Sequence, residues 1–148
     1  MSKSVSVTLT QTSGYQFTVD FGGALPSLLA DEPPPLGLGE GPAPSHMLVA
    51  AAANCLAASL LFALKKFQQA PEPISATAHC EIGRNDEGRL RVLGIQVDLS
   101  LGVPAAELVH LERVLEQFEA FCTVSQSIQS GVPVTVSVSD SNGVRLKG

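Results

Sequence analysis

Positive charge is scarce in this chain. Lys and Arg number 9 against 14 Asp and Glu, a net charge of -5, and no basic run occurs. That balance argues against nucleic acid or an anionic membrane as the main partner, since both are gripped by clustered cations. Cysteine is scarce as well. Cys55, Cys80 and Cys122 match no zinc-ligand spacing and do not make a disulfide framework, so no metal and no cofactor is expected. The opening residues MSKSVSVTLTQTS lack an apolar core behind a positive start, so no signal peptide is read and a cytoplasmic protein with reduced thiols is expected. No internal repeat is present. The 148 residues fit a single domain, 1–148, able to bury about two thirds of its surface.

Apolar residues are concentrated in 45–66, SHMLVAAAANCLAASLLFALKK. Between Met47 and Leu64 only Asn54 and Ser59 interrupt small and apolar residues. The pattern predicts one helix without a broad polar face, buried nearly all round, with Cys55 near its middle. Ser45 suits an N-cap, and Lys65 and Lys66 suit the negative end of the dipole. A bilayer span needs about 20 apolar residues. This run falls slightly short and carries two polar residues, so a core helix is expected rather than a membrane segment.

Residues 4–10 place Val5, Val7 and Leu9 in alternation, and residues 15–21 do the same with Tyr15, Phe17, Val19 and Phe21. The two runs predict a β-hairpin turning at 11–14. Residues 22–44 hold six prolines and lack a period of their own, which is the composition of a lid or a flexible surface segment. Beyond the helix, 74–82 alternates Ile74, Ala76, Ala78, Cys80 and Ile82, NDEG turns the chain, and 90–101 returns with Leu93, Ile95, Val97, Leu99 and Leu101 in phase. Pro104 opens an amphipathic helix through Leu108, Leu111, Val114, Leu115 and Phe118. A shorter helix begins near Cys122 and closes at Gly131 and Pro133, and Val134, Val136 and Val138 form a last strand. Strands and helices segregate in this order, which predicts an α+β domain with an antiparallel sheet packed on the long buried helix.

The thiols are the candidate chemistry. Cys122 lies where a short helix starts, and a helix N-terminus favours the thiolate through its dipole and free N–H groups. Cys55 is mid-helix and gains nothing from the dipole. A buried cysteine is usually a small apolar residue, and on pattern alone Cys55 and Cys80 read that way.

The segment GPAPSHMLVAAAANCLA, residues 41–57, resembles the opening of the long helix in the OsmC/Ohr family, where Gly-Pro-x-Pro precedes a Leu/Ala-rich turn and a cysteine. Cys122-Thr123-Val124-Ser125, continuing to Gly131-Val132-Pro133-Val134, is similar to that family's second-cysteine segment. Asp31-Glu32-Pro33-Pro34-Pro35-Leu36-Gly37 resembles a lead-in found in one branch. The resemblance implies an OsmC-like fold, an intertwined homodimer and a thiol peroxidase. Cys55 would attack an organic hydroperoxide, the sulfenic acid would condense with Cys122, and a dithiol such as a lipoyl group would reset the pair. A helix apolar on all faces is hard to cover within one chain, which points to a dimer independently.

The chain also departs from the pattern. Active members carry an arginine in the N-terminal hairpin and a glutamate in the first helical turn, whereas no arginine precedes Arg84 here and the turn carries Ser45 and His46. An imidazole in place of that pair predicts weaker, pH-dependent activation. His46 precedes Cys55 by about 13 Å of helix rise, so it could act only at the pocket mouth or across a dimer. A non-catalytic protein binding a small molecule or partner in the same pocket is the alternative function, and a redox sensor without turnover is a third.

Overall fold

The computed structural model describes residues 2–131, 136–139 and 144–147. Its longest helix among the described residues is α1, Pro44–Lys66. Alanines and leucines favour helix along this run, Pro44 sits at the first helical position, where its missing N–H is harmless, and Lys65 and Lys66 close the last turn. Ala43, not Ser45, is the N-cap residue. The helix is 23 residues long and apolar enough to cross a membrane by length and composition, so the length argument against a span does not hold. Its packing on β4, Ser75–Arg84, on β5, Leu90–Ser100, and on the C-terminal helices makes it part of a folded domain.

α1 is not wrapped on all sides by its own chain. Only 22 % of its most apolar stretch is buried, and Phe62 is 70 % exposed. One face carries the core, where Leu60 and Leu64 meet Val114 and Phe118, with Leu56, Phe67, Ile74, Leu99, Leu101 and Leu111 around them.

Among the described residues, three small antiparallel sheets stand where a single sheet was expected. β1, Thr8–Ser13, and β2, Gln16–Asp20, form the predicted hairpin, but the turn is Gly14-Tyr15, with Gly14 in the left-handed region at φ +55. Residues 4–7 are not strand. Thr8 already pairs with Asp20, the last residue of β2, so β2 has no residue left to pair with anything earlier, and Val5 is 84 % exposed.

The proline-rich stretch is neither lid nor loose segment. Leu28–Ala30 forms β3 beside β2, and Asp31, only 2 % exposed, stitches together the loop that runs on to Glu40. Its carboxylate accepts the N–H groups of Glu32 (2.8 Å), Leu38 (3.2 Å) and Glu40 (3.0 Å) and the Gln16 side-chain amide (3.2 Å). The Glu40 N–H contributes most to holding this carboxyl below the usual carboxylate range, against the opposing effect of burial.

β4 and β5 pair from Ser75↔Ser100 to Arg84↔Leu90. Glu81 pairs with Gly94 and Ile82 with Val92, so Leu93 is an extra residue on β5. This bulge reverses the phase beyond it. Cys80 is half-buried, as the alternation requires, but Ile82 and Leu93 are exposed. The helix expected from Pro104 is broken into a 3-10 turn at Ala105–Glu107, α2 at Leu111–Gln117 and a second 3-10 turn at Phe118–Phe121. The break falls where His110 is left-handed, φ 61, and the Val109 N–H leaves the helical pattern to reach the Gln69 side chain at 2.9 Å. α3, Thr123–Ser130, matches the short helix beginning at Cys122. Pro133 and Val134 lie outside the described residues. Val138–Ser139 forms β6, pairing with β7, Arg145–Lys147, and Val136 precedes that strand.

Candidate functional site

Cys122 stands at the junction of the second 3-10 turn and α3. Its N–H closes the turn on the Glu119 carbonyl at 3.1 Å, and its own carbonyl accepts the Gln126 N–H at 3.1 Å to start α3. An extended backbone (φ -78, ψ 102) makes it the N-cap. A cap residue offers its side chain to the unpaired N–H groups of the first turn. Here that atom is sulfur, and Cys122 Sγ accepts the Ser125 N–H at 3.5 Å while fully buried.

α1 packs against α3 and delivers Cys55 to the same place. Burial pushes the Cys122 thiol up, but hydrogen bonding from the Ser125 side chain, the Cys55 thiol and the backbone N–H groups of Ser125 and Val124 outweighs it, and the thiol ends below its ordinary value. Hydrogen bonds to the charged form are what stabilise a thiolate away from water. Among the described residues, no lysine or arginine is among the groups acting on this sulfur. The Ser125 hydroxyl is buried and has no partner in full hydrogen-bond geometry.

Between α1, α3 and β5 opens a cavity of about 470 Å³, lined by sequence neighbours of the two cysteines but by neither cysteine itself. Ala52 and Leu56 bring one wall from the Cys55 stretch of α1, Ser125 and Ile128 another from α3, and residues 92–97 of β5 a third. Gln96, Glu119 and Gln129 give its rim polar groups. The bulge at Leu93 lies within that β5 wall. Such a space, mostly apolar with a few polar groups, suits a small organic molecule.

Ser45 and His46 are not part of this arrangement. Both lie in the first turn of α1, and His46 Nδ1 accepts the Ala43 N–H at 3.0 Å, a cap that only an unprotonated Nδ1 can supply. Arg84, Arg89 and Arg91 stay at the β4–β5 turn: Arg84 bonds the Gly88 carbonyl, Arg91 the Leu90 carbonyl, and Arg89 pairs with Glu87. No cluster of three metal-ligating side chains exists among the described residues. The residue missed in the sequence is Ser125. Its signal was the interval from Cys122, three positions, over which an N-cap reaches back-bonding N–H groups.

The fold has solved counterparts. An OsmC-like protein of unknown function from Vibrio cholerae O1 biovar eltor superposes with a TM-score of 0.70 at 18% identity, over 85% of this chain and 94% of that one. An OsmC-like protein from Mycoplasma pneumoniae gives 0.70 at 15% identity, over 89% and 91%. An organic hydroperoxide resistance protein from Bacillus subtilis gives 0.65 at 15% identity, over 87% and 93%. No curated protein sequence matches the chain. The family model described as OsmC-like protein matches residues 37–137, a stretch that runs from the Asp31 loop through α1 and both cysteines to the end of α3 and beyond. The chain belongs to the OsmC-like protein family.

Proposed function

We propose that this chain is a thiol-dependent reductase of organic hydroperoxides working through Cys55 and Cys122. The observation that carries the reading is a buried Cys122 sulfur held by the Ser125 N–H at the start of α3, the helix on which α1 with Cys55 packs, near a cavity of about 470 Å³. Family neighbours named for organic hydroperoxide resistance agree with it. The Cys55 sulfur attacks the peroxide oxygen, the O–O bond breaks, and an alcohol leaves a sulfenic acid on Cys55. Cys122 then displaces hydroxide, which leaves as water, and a dithiol of the lipoyl type returns the disulfide to two thiols. A reducing compartment, the cytoplasm, suits this cycle.

The same proposal includes a second copy of the chain. Phe62 on α1, Val5 and Leu9 near the first hairpin and Leu93 on β5 are large apolar groups left open, and surfaces of that kind mark association. Light scattering on a sizing column decides between one chain and two.

Mass spectrometry of the reduced protein before and after one equivalent of cumene hydroperoxide tests the chemistry. Loss of two hydrogens in the wild type and a sulfenic adduct in Cys122→Ser are expected. That no lysine or arginine among the described residues acts on the Cys122 thiol favours a second reading, a binding protein using the same cavity. Thiols that stay unreacted for minutes would select it.

A further inference from the structure

We propose that the cavity between α1, α3 and β5 binds uncharged organic molecules carrying a hydroxyl or hydroperoxyl group. Ser125 is its hydrogen-bonding residue, and Glu119 is the residue that turns organic anions away. This names a substrate class for the hydroperoxide reading and rests on that reading for the chemistry, while the binding itself does not require the thiols to turn over.

The first observation is a buried polar atom without a full partner. Ser125 is 9 % exposed, its hydroxyl has no partner in full hydrogen-bond geometry, and the residue lines the cavity. A buried hydroxyl left unpaired is costly. One at a cavity wall recovers that loss when a ligand supplies the missing bond. A hydroxyl both donates and accepts, so its match is another O–H. Leu56, Ile95 and Ile128 give the hydrocarbon part of such a ligand an apolar wall, and a space of about 470 Å³ lies in the range that small ligands occupy.

The second observation is the sign of the charge there. Among the described residues, Glu119 is the one charged side chain lining the cavity, and no lysine, arginine or histidine accompanies it. It joins none of the ion pairs among those residues. An anion leaving water for such a space needs a cation or several donors to replace its hydration. The donors at hand are already engaged. At the positive end of α3 the Ser125 N–H goes to Cys122 Sγ and the Gln126 N–H to the Cys122 carbonyl, and neither Thr123 nor Val124 lines the cavity. Gln96 gives an amide N–H to the Asp98 carboxylate at 3.0 Å. Arg91, next to the β5 wall in sequence, bonds the Leu90 carbonyl. The net charge of -5 adds to the repulsion.

Cumyl alcohol, and the carboxylate and ammonium that replace its hydroxyl on the same frame, test this, and none of them oxidises a thiol. Each is titrated into reduced, nitrogen-15-labelled protein, with the amide shifts of Gly94, Ile95, Ser125 and Ile128 locating the site and giving Kd. The carboxylate should bind about tenfold more weakly than the alcohol at low salt, with the gap narrowing as added salt screens Glu119. Glu119 is exposed, so its variants keep the fold. In Glu119→Gln the carboxylate should recover most of that factor while the alcohol is unchanged, and in Glu119→Lys it should bind more tightly than the ammonium. Ser125→Ala should weaken the alcohol about fivefold, the worth of one neutral hydrogen bond, and leave the urea midpoint unchanged or higher, because it deletes an unpaired buried group. A lowered midpoint with unchanged alcohol affinity is the mark of a merely structural serine and would overturn its role. Equal affinities for alcohol and carboxylate, a ratio untouched by Glu119→Gln, or no shift from the alcohol at its solubility limit would overturn the site. The hydroperoxide reading fails separately: thiols that ignore cumene hydroperoxide leave these affinities standing, and a protein that reduces it while binding alcohol and carboxylate alike keeps the reading and loses this proposal.

Discussion

Truncating Leu64 should cost about a third of the stability of a domain this size. Leu64 is fully buried on the core face of α1, against Leu60, Val114 and Phe118. Leu64→Ala removes three carbons, and at about 0.8 kcal/mol for each buried methylene the transfer loss is roughly 2.4 kcal/mol. The space left between α1 and α2 collapses only in part, which brings the total to about 3–4 kcal/mol, out of about 5–15 kcal/mol for a typical domain. Urea unfolding followed by circular dichroism reads this directly. With a slope of about 2 kcal/mol per molar, the midpoint should fall by about 1.5–2 M with the slope unchanged. Phe62→Ala, two residues away on the open side, is the control, costing under about 0.5 kcal/mol in an isolated chain. A loss under about 1 kcal/mol for Leu64→Ala, less than transfer alone requires, would refute the packing of α1 on α2. A concentration-dependent loss for Phe62→Ala would instead show a second copy seated on that side.

The Cys122 thiol ionises below its ordinary value in the fold, so the unfolded chain binds more protons in between and stability should rise with pH across that window. Under reductant, the urea midpoint of Cys80→Ser should climb as pH rises from the folded-state value towards the ordinary thiol value of about 8.5, and adding Cys122→Ser should remove the slope. Asp31→Asn withdraws the charge that gathers three N–H groups and Gln16; a lower melting temperature and faster proteolysis within residues 31–42 are expected. Because the Asp31 carboxyl is held low, its contribution is present above the usual carboxylate range and is lost as pH falls through the folded value, which acid titration of the wild type against Asp31→Asn checks. In Gly41→Ala the new Cβ would collide with the Leu29 carbonyl, so β3 must shift, at about 1–3 kcal/mol by thermal unfolding.

Period and punctuation made much of this fold legible. The run of small and apolar residues gave α1, Gly88 and its neighbours the β4–β5 turn, and the C-T-V-S segment the start of α3. What failed depended on partners distant in sequence. Residues 4–7 alternate well, yet β2 ends too early to pair with them. Ile82 has the right parity, but one extra residue on the opposite strand turns it outward. The α2 break depends on Gln69, far away in sequence, capturing the Val109 N–H. The prolines of 22–44 suggested looseness because nothing local announces that Asp31 will be buried and fourfold bonded. In the site, spacing along a helix was enough to separate His46 from Cys55, whereas the packing of the Cys55 helix on the Cys122 helix is a tertiary contact that no local pattern announces. Ser45 was misread as the cap because Pro44, which needs no N–H partner, shifts the helix start to Ala43.

A bond between Cys55 and Cys122 would also have a topological consequence. Between them the chain runs out through the whole β4–β5 hairpin and back through α2. An S–S bond there would turn half the molecule into a ring of roughly 70 residues, removing about 4 kcal/mol of chain entropy from the unfolded state. Each turnover would then carry the protein between a looser and a tighter topology. The oxidised form should show the higher urea midpoint, and a dithiol that resets the pair would also restore the unfolded chain's freedom.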